Sequence, residues 1–135
     1  MTTSLFYLAL TALLTATLWV PYVIALVQTY GLPGPPQYTD PRTATNTENP
    51  LPPWGVRANR AHLNAVEAFA PFAALVLVAH FAGKETATVV CCVMGFFWLR
   101  LAHAIVVLLG LPYIRTIVFT LGWIAELVIF WAIIS

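Results

Sequence analysis

Arg57-Ala-Asn-Arg60-Ala-His62-Leu-Asn64-Ala-Val-Glu67-Ala-Phe-Ala-Pro71-Phe72 opens a long apolar segment, yet Arg60, His62, Asn64 and Glu67 fall within its first part. Arg60, Asn64 and Glu67 stand at i, i+4 and i+7. On a helix that spacing makes one polar stripe along about two turns. A helix that carries such a stripe into a bilayer must turn it toward another helix, a ligand or a water-filled cleft, because ionisable groups facing lipid are too costly. The sequence on either side decides whether there is a bilayer.

The chain has 135 residues, one domain by length. It is 61% hydrophobic and 8% charged, against roughly 45–50% and 25% in soluble domains, which points to an integral membrane protein. A net charge of +1 without a basic run leaves nothing to track the phosphates of a nucleic acid. Cys91 and Cys92 are vicinal inside an apolar run, where disulfide geometry is rarely met. With no CxxC or Cys/His metal spacing they read as small packing residues, with a redox or metal role as the alternative.

No charged residue precedes Asp40, and Leu5 to Val27 is mainly apolar and long enough to span a core that needs about 20 residues. A cleavable signal peptide is the rival reading. The missing basic n-region and the length of the run oppose it. Pro21 is expected to kink this helix. From Gly31 to Pro53 the character changes: seven of the ten prolines lie here, among Asn, Thr, Asp and Glu. This is an extended aqueous loop, either a lid or a plain connector. Further apolar segments follow, separated by Gly83-Lys84-Glu85 and Gly110-Leu111-Pro112. The sequence therefore predicts an all-α membrane protein of four spans (about 4–28, 57–82, 86–109 and 113–134). Short connections make it an up-down bundle. Arg42, Arg57, Arg60 and Arg115 cluster on one side and Lys84 on the other. The positive-inside rule then puts both long-loop and third-loop sides in the cytoplasm and both termini outside, as in a bacterial inner membrane.

Depth sharpens this picture. At 1.5 Å per residue, Glu67 lies roughly 10–15 Å into the second span and Arg100 roughly 14 Å from the same face on the third. An ion pair between them is expected, since each would otherwise be an unpaired charge in low dielectric. His103 lies three residues nearer the cytoplasm, with Arg60 and Arg115 at the rim. The expected product is a cationic cleft suited to a small ligand with several carboxylates. A purely structural polar network between helices is the other reading. Glu126 stands apart, paired at a subunit contact or buried in its protonated form. Trp54, Trp98, Trp123 and Trp131 read as interfacial or lipid-facing, and His80 as interfacial.

Arg60-Ala-His62-Leu-Asn64-Ala-Val-Glu67 followed by Pro71-Phe72 resembles the second-helix signature of the MAPEG family, the membrane-associated proteins of eicosanoid and glutathione metabolism. The similarity is to the branch of microsomal prostaglandin E synthase and its bacterial relatives. Gly34-Pro35-Pro36-Gln37-Tyr38, Arg100-Leu-Ala-His103 and Pro112-Tyr113-Ile114-Arg115-Thr116 resemble further motifs of the family, so the likeness covers nearly the whole chain. It implies a homotrimer that binds glutathione as co-substrate between subunits and acts on lipophilic small molecules. By this resemblance Arg60, His62, Asn64 and Glu67 bind the charged ends of the tripeptide and Arg100 supports Glu67. Arg115 lies near the thiol as the catalytic residue, and His103, Thr116 and Phe119 complete the binding set. The implied activity is that of a glutathione-dependent transferase or peroxidase. The chain departs from the pattern at Val107 and Phe119, where relatives carry tyrosines, and near Leu32, where many carry a basic residue. Those departures suit the alternative of a non-catalytic scaffold that binds lipid or another protein.

Overall fold

The computed structural model describes residues 1–32 and 51–135. They form five helices: α1 (Thr3–Thr17), α2 (Trp19–Tyr30), α3 (Pro53–Phe81), α4 (Ala87–Leu109) and α5 (Pro112–Ile134). α1 and α2 are two halves of one span, so four stretches are long and apolar enough to cross a membrane. The chain is an all-α, multi-pass membrane protein built as a four-span bundle, with no strand among the described residues. Phe81, Trp131, Ile117 and Trp98 stand exposed around it, which in a bilayer is the lipid-facing surface. The motif at residues 34–38 and most of the proline-rich loop lie outside the described residues.

Hydrogen bonds at the two ends fix the up-down order. Thr2 Oγ1 donates to Glu85 Oε1 at 2.9 Å, joining the start of α1 to the α3–α4 turn. At the opposite face Arg57 Nε donates to the Leu108 carbonyl at 2.9 Å, joining the start of α3 to the end of α4. Gly83 and Gly110 hold the turns with φ of 67° and 75°, values that suit a residue without Cβ.

Two local features refine the sequence expectation. The first span breaks at Leu18, one turn before Pro21. A proline ring clashes with the carbonyl four residues earlier, here that of Thr17, so the distortion falls ahead of the ring. α3 begins at Pro53 rather than near residue 57. Pro53 occupies the first helical position, where its missing N–H costs nothing.

The main core lies toward the Glu85 end. The rings of Phe72 on α3 and Phe96 on α4 stack at 3.9 Å between centroids, with Val76, Ala79, Val89, Val93 and Ile129 buried around them. A second cluster at the opposite end joins Ala25 and Leu26 to Leu51, with Tyr22 and Trp54 against it. Trp54 is half-buried there. There Gly55 meets α2 so closely that a Cβ would lie 2.6 Å from that of Ala25. Together the two clusters seat α3 between the first span and α4, and α5 packs along α4.

Candidate functional site

The α3 stripe faces α4 and α5, where it borders two adjoining clefts. The outer one, of about 310 Å³, is lined by Arg60, Asn64, His103, Val107, Arg115, Thr116 and Phe119. The inner one, of about 200 Å³, is lined by Asn64, Glu67 and Pro71 of α3, by Arg100, and by Phe119, Trp123 and Glu126 of α5. Helical spacing accounts for each wall. Arg100, His103 and Val107 recur at i, i+3 and i+7 on α4, and Arg115, Phe119, Trp123 and Glu126 recur at three- or four-residue intervals on α5.

Arg100 is the pivot between the clefts. It is 4% exposed, and its Nη1 donates to Asn64 Oδ1 at 3.1 Å. Its Cζ stands 5.2 Å from the Phe96 ring centre and 5.3 Å from that of Phe119, a cation held between two aromatic faces. Gly122 makes room for it, since a Cβ there would lie 2.8 Å from Nη2. The expected Glu67–Arg100 ion pair is not formed: among the described residues no carboxylate lies within 4 Å of this guanidinium. The registry of α3 against α4 brings Asn64, one turn before Glu67, to the level of Arg100. Glu126 of α5 instead lines the inner cleft together with Arg100. Glu126 is part of the inner cleft rather than apart from it; Gly122, one turn earlier on α5, is the point where α5 closely approaches Arg100. Arg100 Nε and Glu126 Oε1 are both buried without a hydrogen-bond partner.

Of the sequence-predicted residues, Arg60, Asn64, His103, Arg115, Thr116 and Phe119 meet in the outer cleft, and Glu67 and Arg100 in the inner one. His103 is buried, its ring 6.0 Å from that of Phe119. His62 lines neither cleft, being about 200° around the helix from Arg60; its Nδ1 is buried without a partner. Sequence reasoning read Trp123 as interfacial or lipid-facing and passed over Gly122. Their spacing from Arg115 and Phe119 was the available signal, since all fall on one face of α5.

A third pocket, of about 180 Å³, lies at the Arg57 end between Arg57, Arg60, Val107, the Gly110–Pro112 turn and Arg115. At the far face, His80 Nδ1 lies 3.4 Å from Glu85 Oε2. Partial removal from water pushes the Glu85 carboxyl up, but hydrogen bonds led by the Thr2 hydroxyl, with the neighbouring His80, outweigh this and hold it below the ordinary carboxylate range.

The MAPEG family model matches residues 4–135, nearly the whole chain. The chain belongs to the MAPEG family. MAPEG proteins generally use glutathione. No curated protein and no solved structure gives a significant match to the chain.

Proposed function

We propose that this MAPEG protein is a glutathione-dependent transferase or peroxidase that acts on lipophilic electrophiles arriving from the bilayer. The observation that carries the reading is the donor set of the outer cleft. Two guanidiniums, an amide, an imidazole and a hydroxyl line it, with no carboxylate among the described lining residues. Such a set fits a ligand with two carboxylates, which pair best with arginine. The volume stands near the lower end of the roughly 300–1,000 Å³ of small-molecule sites.

In this reading Arg60 and Asn64 bind the charged ends of glutathione, with His103 and Thr116 as further donors. Glu67 holds the ammonium end, and Arg100 fixes Asn64 and the Phe119 ring. Arg115, in the first turn of α5, sits where its own charge and the helix dipole favour a thiolate. When bound, glutathione supplies a sulfur that acts as nucleophile or reductant. His62 enters the set through the neighbouring subunit of a homotrimer, the assembly in which the exposed Glu67 and Arg115 are also covered. Phe119 and Trp123 form the apolar wall by which a lipophilic substrate enters.

Val107 and Phe119 favour a second reading, because both line the outer cleft without a hydroxyl to bind or polarise a substrate. A non-catalytic MAPEG scaffold that binds lipid or an interaction partner would tolerate that loss. Glutathione binding to the detergent-purified protein separates the two, with Arg115→Ala and Glu67→Gln beside wild type. The enzyme reading requires measurable binding, weakened in both variants, and turnover of a generic aryl halide or hydroperoxide that Arg115→Ala abolishes. Absence of binding at millimolar glutathione selects the scaffold.

A further inference from the structure

The pocket under Arg57 adjoins the machinery just described and shares Arg60 and Arg115 with it, while Arg57 belongs to this pocket alone. Three arginines from two helices converge on about 180 Å³, and no acid is among its described lining residues. Arg57 is fixed there rather than waving in solvent. Its Nε is held by the Leu108 carbonyl at 2.9 Å, and its stem lies over Gly110, where a Cβ would stand 3.4 Å from Arg57 Cδ. The guanidinium keeps further N–H donors beyond that one bond.

The start of α5 adds to the same field. Leu111 caps this 23-residue helix without a side-chain hydrogen bond, Pro112 occupies its first turn, and that turn holds no acidic residue. The positive end of the dipole therefore faces Leu111 and Pro112, which line the pocket. The pocket also sits where α3 begins, α4 ends and α5 begins, the level at which spans leave the hydrocarbon for the headgroups. Basic pockets between spans at that depth recognise anionic headgroups.

We propose that Arg57, Arg60 and Arg115 form a phosphate-binding site at the membrane surface, fitted to the headgroup of an anionic phospholipid. Free phosphate shares the charge and oxygens but not the acyl chains, which would lie against exposed Leu109 and Ile114 beside the pocket. The site does not depend on the glutathione reading, and Arg57 is the residue that distinguishes the two.

The test reconstitutes the full chain in nanodiscs of equal phosphatidylglycerol and phosphatidylcholine and reads the lipids retained on release by native mass spectrometry. Wild type should retain phosphatidylglycerol preferentially. Arg57→Gln, whose amide can still reach the Leu108 carbonyl, should lower that preference roughly fivefold, and Arg57→Lys should keep most of it. Ten-millimolar inorganic phosphate should leave the lipid in place. Its complete displacement would assign the same site to soluble phosphate and overturn the lipid assignment. Equal retention of both lipids by wild type, or no change in Arg57→Gln, overturns the proposal. So does an equal loss of glutathione binding in Arg57→Gln, because the pocket would then be an extension of the cleft above it.

Discussion

Arg100 donates to Asn64 at 3.1 Å, and through that bond one buried cation joins the polar stripe of α3 to the core of the bundle. Removing the acceptor leaves a charged donor in low dielectric. Asn64→Ala should therefore cost about 1.5–3 kcal/mol, well above the roughly 0.6 kcal/mol average for a hydrogen bond between membrane spans. Glu67→Gln, which breaks no ion pair among the described residues, should shift the melting temperature much less. Thermal unfolding of both variants in one detergent checks the order, and equal losses would contradict the assignment of Asn64 as the partner.

Gly122 and Arg100 make a related test. An added methyl would approach Nη2 to 2.8 Å, and the guanidinium cannot swing freely because Phe96 and Phe119 hold both of its faces. Gly122→Ala should destabilise by about 1–3 kcal/mol, the usual range for overpacking, despite the gain in helix propensity. Pairing it with Arg100→Met, which removes the colliding atom, should recover part of the loss in a double-mutant cycle.

Phe119→Tyr adds a hydroxyl to the outer cleft beside His103 and Arg115 without enlarging the buried core, since Phe119 is 39% exposed. One neutral hydrogen bond is worth about 0.5–1.5 kcal/mol. Glutathione should bind about two- to twelvefold more tightly by isothermal titration. Val107→Tyr is a poorer test, because Val107 is buried and the larger ring must displace its neighbours.

The Thr2–Glu85–His80 contact predicts a pH dependence of stability. The Glu85 carboxyl is held below its ordinary range, so the folded state binds its proton less readily than the unfolded chain. The contribution is complete above the unfolded carboxylate pKa and is lost as the pH falls through the lower folded value. The melting temperature should fall on acidification below the ordinary carboxylate range, and Glu85→Gln should flatten that part of the profile. An unchanged slope in Glu85→Gln would place the acid sensitivity elsewhere.

The four spans, the polar stripe and its cleft were legible because hydropathy and helical spacing are local properties. Arg60, Asn64 and Glu67 had to share a face once the helix was granted. Partner choice was not legible in the same way. Counting residues from the ends of α3 and α4 matched Arg100 to Glu67, but the stacking of Phe72 on Phe96 and the extra turn from Pro53 set a registry that favours Asn64. Glu126 was misplaced for a similar reason. Its depth was readable, whereas the close approach at Gly122, one turn before it, depends on two helices at once. His62 lines neither cleft of the single chain because it lies about 200° around α3 from Arg60, a placement that the signature alone does not specify.

The discontinuity at Leu18 divides the work of the first span. Its N-terminal half, α1, is tied to the α3–α4 turn through Thr2, while α2 leans on Gly55 through Ala25 at the opposite end. Each half can thus follow its own neighbour without dragging the other. Restoring an unbroken rod with Pro21→Ala would couple the two, and the load would fall on the head of α3, two residues from the arginine that clasps Leu108.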